Sequence, residues 1–301
     1  MITQTMDNIS FHLKEPRDFS YLSKYGKLFC AFDQNDSGNI SFGVEDGRIK
    51  YFIKVAGAST AESNRDTREA VEVLRNAMPI YEILEHPNLI QLVEHYEHED
   101  LYIAVFKWAE GDCLFDFWNF EKYSKNPLLI SPFHRFKQLS IVKRLKAIRT
   151  LFEFLIHVER MGYVAVDFYD GSILYDFEND NVTICDIDFF RKKPTYNNMG
   201  EDYWGTKRLK SPEEYVYGAV IDEATNVYTL GAMIFHFFGS YSEEEISQIY
   251  QNNRFFPCAR ERWELSKDMY EVSLKAVMED RSERYQSVSE FFINWNKVLT
   301  S

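Results

Sequence analysis

Residues 163–189 read YVAVDFYDGSILYDFENDNVTICDIDF, with seven acids set among alternating apolar residues and one turn-forming pair, Asp170-Gly171. Carboxylates can hold a hard cation through oxygen or take a proton from a hydroxyl, and they can equally cap helices or pair with bases. Upstream, Lys54 ends the apolar run YFIK. An ammonium there is either a point cation for phosphate or a solvated strand-edge group. Asp176, Glu178 and Asp180 cluster around Asn179 and read as a solvated turn. Cys30, Cys113, Cys185 and Cys258 lie far apart with no CxxC pair, so reduced thiols are expected and a zinc site is not.

These groups need elements to position them. A chain of 301 residues, 45% hydrophobic and 16% aromatic, has room for one large domain or two lobes. In the first hundred residues KLFCAF (27–32) and NISFGVE (39–45) flank the polar tip DQNDSG and read as a hairpin. RIKYFIKVAGA follows as a third strand after the turn Glu45-Asp46-Gly47. Residues 66–86 are rich in helix formers, with Val71, Leu74, Met78 and Tyr81 on one face and Pro79 expected to kink or break the helix. LIQLVEHYEH and DLYIAVFKW add two strands. Beyond residue 112 the pattern turns helical. Residues 140–162 form a long helix stopped by Gly162, and four further helices come after residue 222. The order predicts an α+β protein of two lobes, 1–108 and 109–301, joined near residues 107–111.

The formal charge of −13 repels nucleic-acid phosphates, so no nucleic-acid partner is expected. The basic clusters RKKP (191–194) and KRLK (207–210) read as solvated loops. MITQTMDNISFHLKEPRDF shows no basic stretch leading into an apolar run, and no window approaches 18 uninterrupted apolar residues. Neither a secretory signal nor a membrane span is therefore expected, and the expected location is cytoplasmic.

In this order the segments resemble the protein-kinase superfamily over nearly the whole chain, most closely the Hanks-type Ser/Thr kinases. YFIKVA resembles the strand whose lysine grips the α- and β-phosphates of ATP, which implies that role for Lys54. HPNLIQL (86–92) is similar to the segment after the kinase αC helix. LYIAVFKWAEGDCLFD (101–116) resembles the fifth strand and hinge, with Phe106 as gatekeeper and Lys107, Trp108 and Ala109, then Asp112, along the nucleotide. GYVAVDFYDGSIL (162–174) stands where the family carries G-I-V-H-R-D-L-K-P-E-N-I-L, which puts Asp167 at the catalytic aspartate and Ser172 at the second metal ligand. ICDID (184–188) stands where I-D-F-G is usual, which implies Mg²⁺ on Asp186. GTKRLKSPE (205–213), NVYTLG (226–231) and DRSERYQS (280–287) keep the later landmarks, implying a structural Glu213–Arg284 pair and a loop-supporting Asn226. The implied fold is bilobal, with a β-rich N-lobe, one αC-type helix and a mostly helical C-lobe. The implied cofactors are ATP and Mg²⁺. The implied chemistry is γ-phosphate transfer, in which the protein positions the reactants and neutralises charge.

The chain also departs from that pattern. Gly38 and Gly43 stand in place of a glycine-rich loop, and Gly38 is the candidate for covering phosphates. Counting back from HPN lands on Ala77 instead of the αC glutamate, leaving Glu72 or Glu82, of which Glu72 is the choice. Ala165 and Val166 replace His and Arg, Tyr169 replaces the catalytic-loop lysine, and Asp188 replaces the glycine of D-F-G as either a third metal carboxylate or a surface cap. Three readings stay open: a phosphotransferase acting on a protein hydroxyl, a pseudokinase serving as a nucleotide-binding or interaction module, and an aminoglycoside-type kinase acting on a small hydroxylated molecule.

Overall fold

A computed structural model describes residues 1–34, 37–61, 63–126 and 128–299. The fold is α+β and divides into two compact units: Met1–Gly111 together with Thr183–Asp188, and Asp112–Val182 together with the chain from Phe189 onward.

The first unit opens with a hairpin of β1 (Ile2–Met6) and β2 (Ile9–Leu13). Its two-residue turn needs positive φ at both positions, and Asp7 and Asn8 supply it at 50° and 68°. Phe11 and Leu13 are buried, and Phe11, Phe19 and Phe42 meet edge to face with centroids 5.0–5.5 Å apart. Five antiparallel strands form the main sheet in the order β3 (Lys27–Phe32), β4 (Asn39–Glu45), β5 (Lys50–Ala56), β7 (Leu101–Lys107) and β6 (Leu92–His98). Asn35 and Asp36, at the tip expected between β3 and β4, lie outside the described residues. Between β4 and β5, Asp46 turns the chain by accepting from the Arg48 and Ile49 amides.

Helix α1 (Thr67–Ile83) starts where the Asp66 side chain accepts from the Arg68 amide. It runs on past Pro79 without the break that the proline suggested, and buries Ala70, Leu74, Ala77, Met78 and Tyr81. Residues 183–188 are tied to this unit by main chain. Ile184 N–H donates to Asn88 O at 2.6 Å, and Ile90 N–H donates to Ile184 O at 2.8 Å.

In the second unit, β8 (Asp112–Cys113) is followed by two helices of six residues, α2 (Phe120–Lys125) and α3 (Pro132–Lys137). Helix α4 (Ile141–Arg160) is capped by Ser140 and ends before Gly162, whose φ of +78° suits a residue without Cβ. Short antiparallel pairs follow. β9 (Tyr163–Val164) pairs with β12 (Arg191–Lys192), β10 (Ile173–Asp176) with β8, and β13 (Thr195–Tyr196) with β14 (Val220–Ile221). β11 (Asn181–Ile184) pairs with β10 and leads the chain back into the first unit.

Helix α5 (Glu223–Phe238) is buried almost all round, as its continuous apolar composition requires, and α7 (Lys267–Ala276) packs against it. Gly231 permits that approach, because a Cβ there would meet Ala276 and Val277 at 2.9 Å. The remaining helices are α6 (Glu243–Asn252) and α8 (Val288–Leu299). Among the described residues no helix is long and apolar enough to cross a membrane.

Candidate functional site

Alternation along β5 sends Ile53 and Val55 into the sheet core and leaves Lys54 on the opposite face. The Lys54 ammonium is buried, with Nζ 2.6 Å from Asp186 Oδ1 and 2.9 Å from Asp188 Oδ2. Tyr81, from α1, donates its hydroxyl to Asp188 Oδ1 at 2.7 Å and accepts the Ile187 amide at 3.1 Å. Its ring packs 4.9 Å from that of Phe106 on β7.

The two acids differ sharply in exposure: the Asp186 side chain is 50% exposed and that of Asp188 only 5%. Burial alone would depress the Lys54 pKa, but Asp186 and Asp188 hold it well above its ordinary value. Burial, reinforced by Asp188, pushes the Tyr81 phenol well up, so its hydroxyl stays a donor. One cation against two carboxylates leaves this cluster formally negative by one charge. Mg²⁺ takes one or two carboxylates together with substrate phosphates. Of the two acids, Asp186 is the one exposed enough to meet such an ion. Among the described residues no group of three or more His, Cys, Asp or Glu side chains is placed to hold a metal ion.

Asp188 is thus neither a surface cap nor an exposed acid; it is buried between Lys54 and Tyr81. The Lys54 partner expected from α1 is also different. Glu72 is exposed on α1 and is not among the groups holding Lys54. It lies nine positions before Tyr81, and at about 100° per residue that places the two on opposite faces of the helix. Glu82 is exposed too, with His95 Nε2 3.5 Å away. Gly38 has φ +84° and sits against α1, where a Cβ would lie 3.0 Å from Ala70 Cβ and 3.4 Å from Ser63 Oγ. Packing and backbone conformation therefore account for that glycine.

Along the expected hinge, Phe106 is buried. Lys107 N–H donates to Gln91 O at 2.9 Å, and Trp108 N–H donates to Lys50 O at 3.0 Å. Two of the amides expected to face a nucleotide are therefore committed within the sheet. Trp108 meets Phe29 edge-on at 4.8 Å, and Ala109 is half-buried.

In the second unit Asp167 is half-buried, with φ +59°; Asp186, in the first, has φ +57°. The left-handed region is uncommon for residues with a side chain, though Asp and Asn tolerate it best. Two residues before Asp167, Asn226 holds Ala165 from both sides: Ala165 N–H donates to Oδ1 at 2.9 Å, and Nδ2 donates to Ala165 O at 2.7 Å. Ser172 is buried, and its Oγ has no hydrogen-bond partner among the described residues. Asp112 on β8 pairs with Arg135 at 2.6 Å. Glu213 and Arg284 form a buried bidentate pair at 2.8 and 3.0 Å, and Arg284 also donates to the Ala224 carbonyl.

The cluster KRLK is not a solvated loop. Arg208, Leu209 and Lys210 are buried. Arg208 pairs with the fully buried Asp170 and lies over the Phe115 ring at 4.5 Å. Lys210 donates to the Tyr203 carbonyl at 2.6 Å. His236 Nε2 approaches Asp170 to 3.3 Å while its ring stacks on Phe133. Burial would raise the Asp170 pKa, but Arg208 and His236 bring it down to about 2.

Sequence reasoning singled out Lys54 and Asp186, which the structure brings into contact, and passed over Tyr81, because an aromatic on the apolar stripe of a helix reads as core. It also missed Arg208 as the partner of Asp170, 38 residues away. No model of a known protein family matches the chain.

Proposed function

We propose that this protein is an ATP- and Mg²⁺-dependent phosphotransferase of the protein-kinase type that passes the γ-phosphate to a hydroxyl of a protein. The observation that supports this reading most is the buried Lys54 ammonium held against Asp186, an acid that is itself half exposed and in the left-handed conformation. A sheet of five strands with one helix, followed by a mostly helical unit, is the arrangement a kinase-type fold would need.

On this reading Lys54 exchanges part of its carboxylate pairing for α- and β-phosphate oxygens. Asp186 would hold Mg²⁺, which would supply neutralisation of charge on the transferring group. Asp167 orients the acceptor hydroxyl and receives its proton. Asn226 fixes the backbone two residues before Asp167, and the Glu213–Arg284 pair is structural.

A second reading, nucleotide binding without turnover, draws on the buried Ser172 hydroxyl and on Tyr169 in place of a phosphate-contacting lysine. Transfer from γ-labelled ATP separates the two, with the chain itself, a generic protein and hydroxylated small molecules as acceptors. Label on protein that disappears in Asp167→Asn supports the enzyme. Label only on small molecules replaces the acceptor class, and binding with no label in any arm establishes the second reading.

A further inference from the structure

Resting on that nucleotide-site reading, we propose that Tyr81 and Asp188 together position Lys54, taking the part expected of an acid on α1, and that Asp188 is consequently a positioning residue and not a metal ligand. Both Asp188 oxygens are engaged inside the first unit, Oδ1 by the Tyr81 hydroxyl at 2.7 Å and Oδ2 by Lys54 at 2.9 Å. A metal would have to displace one of these contacts at a side chain that is 5% exposed, whereas Asp186 offers a half-exposed carboxylate two residues earlier.

Tyr81 also takes the amide of Ile187, the residue between the two acids. One hydroxyl on α1 thereby fixes the backbone from which both carboxylates project. Charge explains why the helix contributes a neutral group. Lys54, Asp186 and Asp188 already sum to −1, and a glutamate from α1 would add a further buried negative charge without a partner. A phenol held protonated supplies the directional bond without that cost.

The test uses the full chain as wild type, Tyr81→Phe, Asp188→Asn and Asp186→Asn. Mg-ATP affinity is titrated over a range of free Mg²⁺, and hydrogen exchange is followed at the Ile187 amide. Tyr81→Phe keeps the ring against Phe106 and removes only the hydroxyl, so it is the variant most certain to fold. Losing one buried hydrogen bond to a charged group is expected to weaken Mg-ATP binding about tenfold. The half-saturating Mg²⁺ concentration stays unchanged, and exchange at Ile187 accelerates. Asp188→Asn behaves in the same way, while Asp186→Asn raises the Mg²⁺ requirement.

A higher Mg²⁺ requirement in Asp188→Asn would make Asp188 a metal ligand and overturn the proposal. So would a Tyr81→Phe variant with unchanged affinity and unchanged exchange. A wild-type chain that binds no Mg-ATP defeats the nucleotide-site reading and with it the ligand-facing half of this proposal. The exchange arm then still decides the tie between Tyr81 and Ile187.

Discussion

Lys54 in the first unit and Arg208 in the second are both buried cations held by aspartates, yet their networks end differently. The Lys54 network finishes at Asp186, with half of that side chain in solvent. The Arg208 network finishes at Asp170, which has no exposed surface, with a phenylalanine against each of Arg208 and His236. A buried ion pair is therefore weak evidence of a site by itself. The distinguishing feature is an acid that is tied to a buried cation and still open to a ligand.

The comparison can be broken by substitution, and the largest effect is expected in the closed network. Arg208→Ala strands a buried carboxylate and should lower unfolding stability by about 3–5 kcal/mol in denaturant titration. Mg-ATP binding should be kept in this variant. Lys54→Met should cost less, because Asp186 can turn to water and the buried Asp188 keeps the Tyr81 hydroxyl. The same variant should lose Mg-ATP binding. Loss of stability in the reverse order would invert the distinction between the networks.

Acid provides a milder perturbation of the closed network. Asp170 has a folded-state pKa of about 2 against an ordinary 3.8, so its stabilising contribution is present in full above the ordinary value and is lost as pH falls through about 2. That loss is on the order of 2 kcal/mol. Stability measured from pH 5 to pH 2 should show this step in wild type and a smaller one in Arg208→Ala, where His236 alone still faces Asp170. The smallest effect belongs to Glu72→Ala, on the exposed face of α1, with stability within about 0.5 kcal/mol of wild type and nucleotide affinity unaltered. A large loss of affinity there would restore Glu72 as the Lys54 partner.

Strand and helix patterning made β3 to β7 and the long helices readable, because their apolar periodicities are sustained over six to twenty residues. The β1–β2 hairpin was harder to single out. Its strands are five residues long, and its turn signal is the pair Asp7-Asn8 and not a glycine turn. Helices α2 and α3 are too short for periodicity to register and depend on local bonds, such as the Ser131 oxygen accepting from the His134 amide. At the site, residue type and order brought out Lys54 and Asp186. The roles of Asp188, Tyr81 and Arg208 depend on burial and on partners 38 to 134 residues away, which no local pattern encodes.

The central claim is that Lys54 and Asp186 form a Mg-ATP site. It is tested most directly by the melting temperature of wild type and of Asp186→Asn, each with and without Mg-ATP. At a hundredfold excess over Kd, ligand binding should add about 2.7 kcal/mol to wild type and raise its Tm, while Asp186→Asn gains little. An unchanged wild-type Tm, or an equal rise in both proteins, would contradict the account.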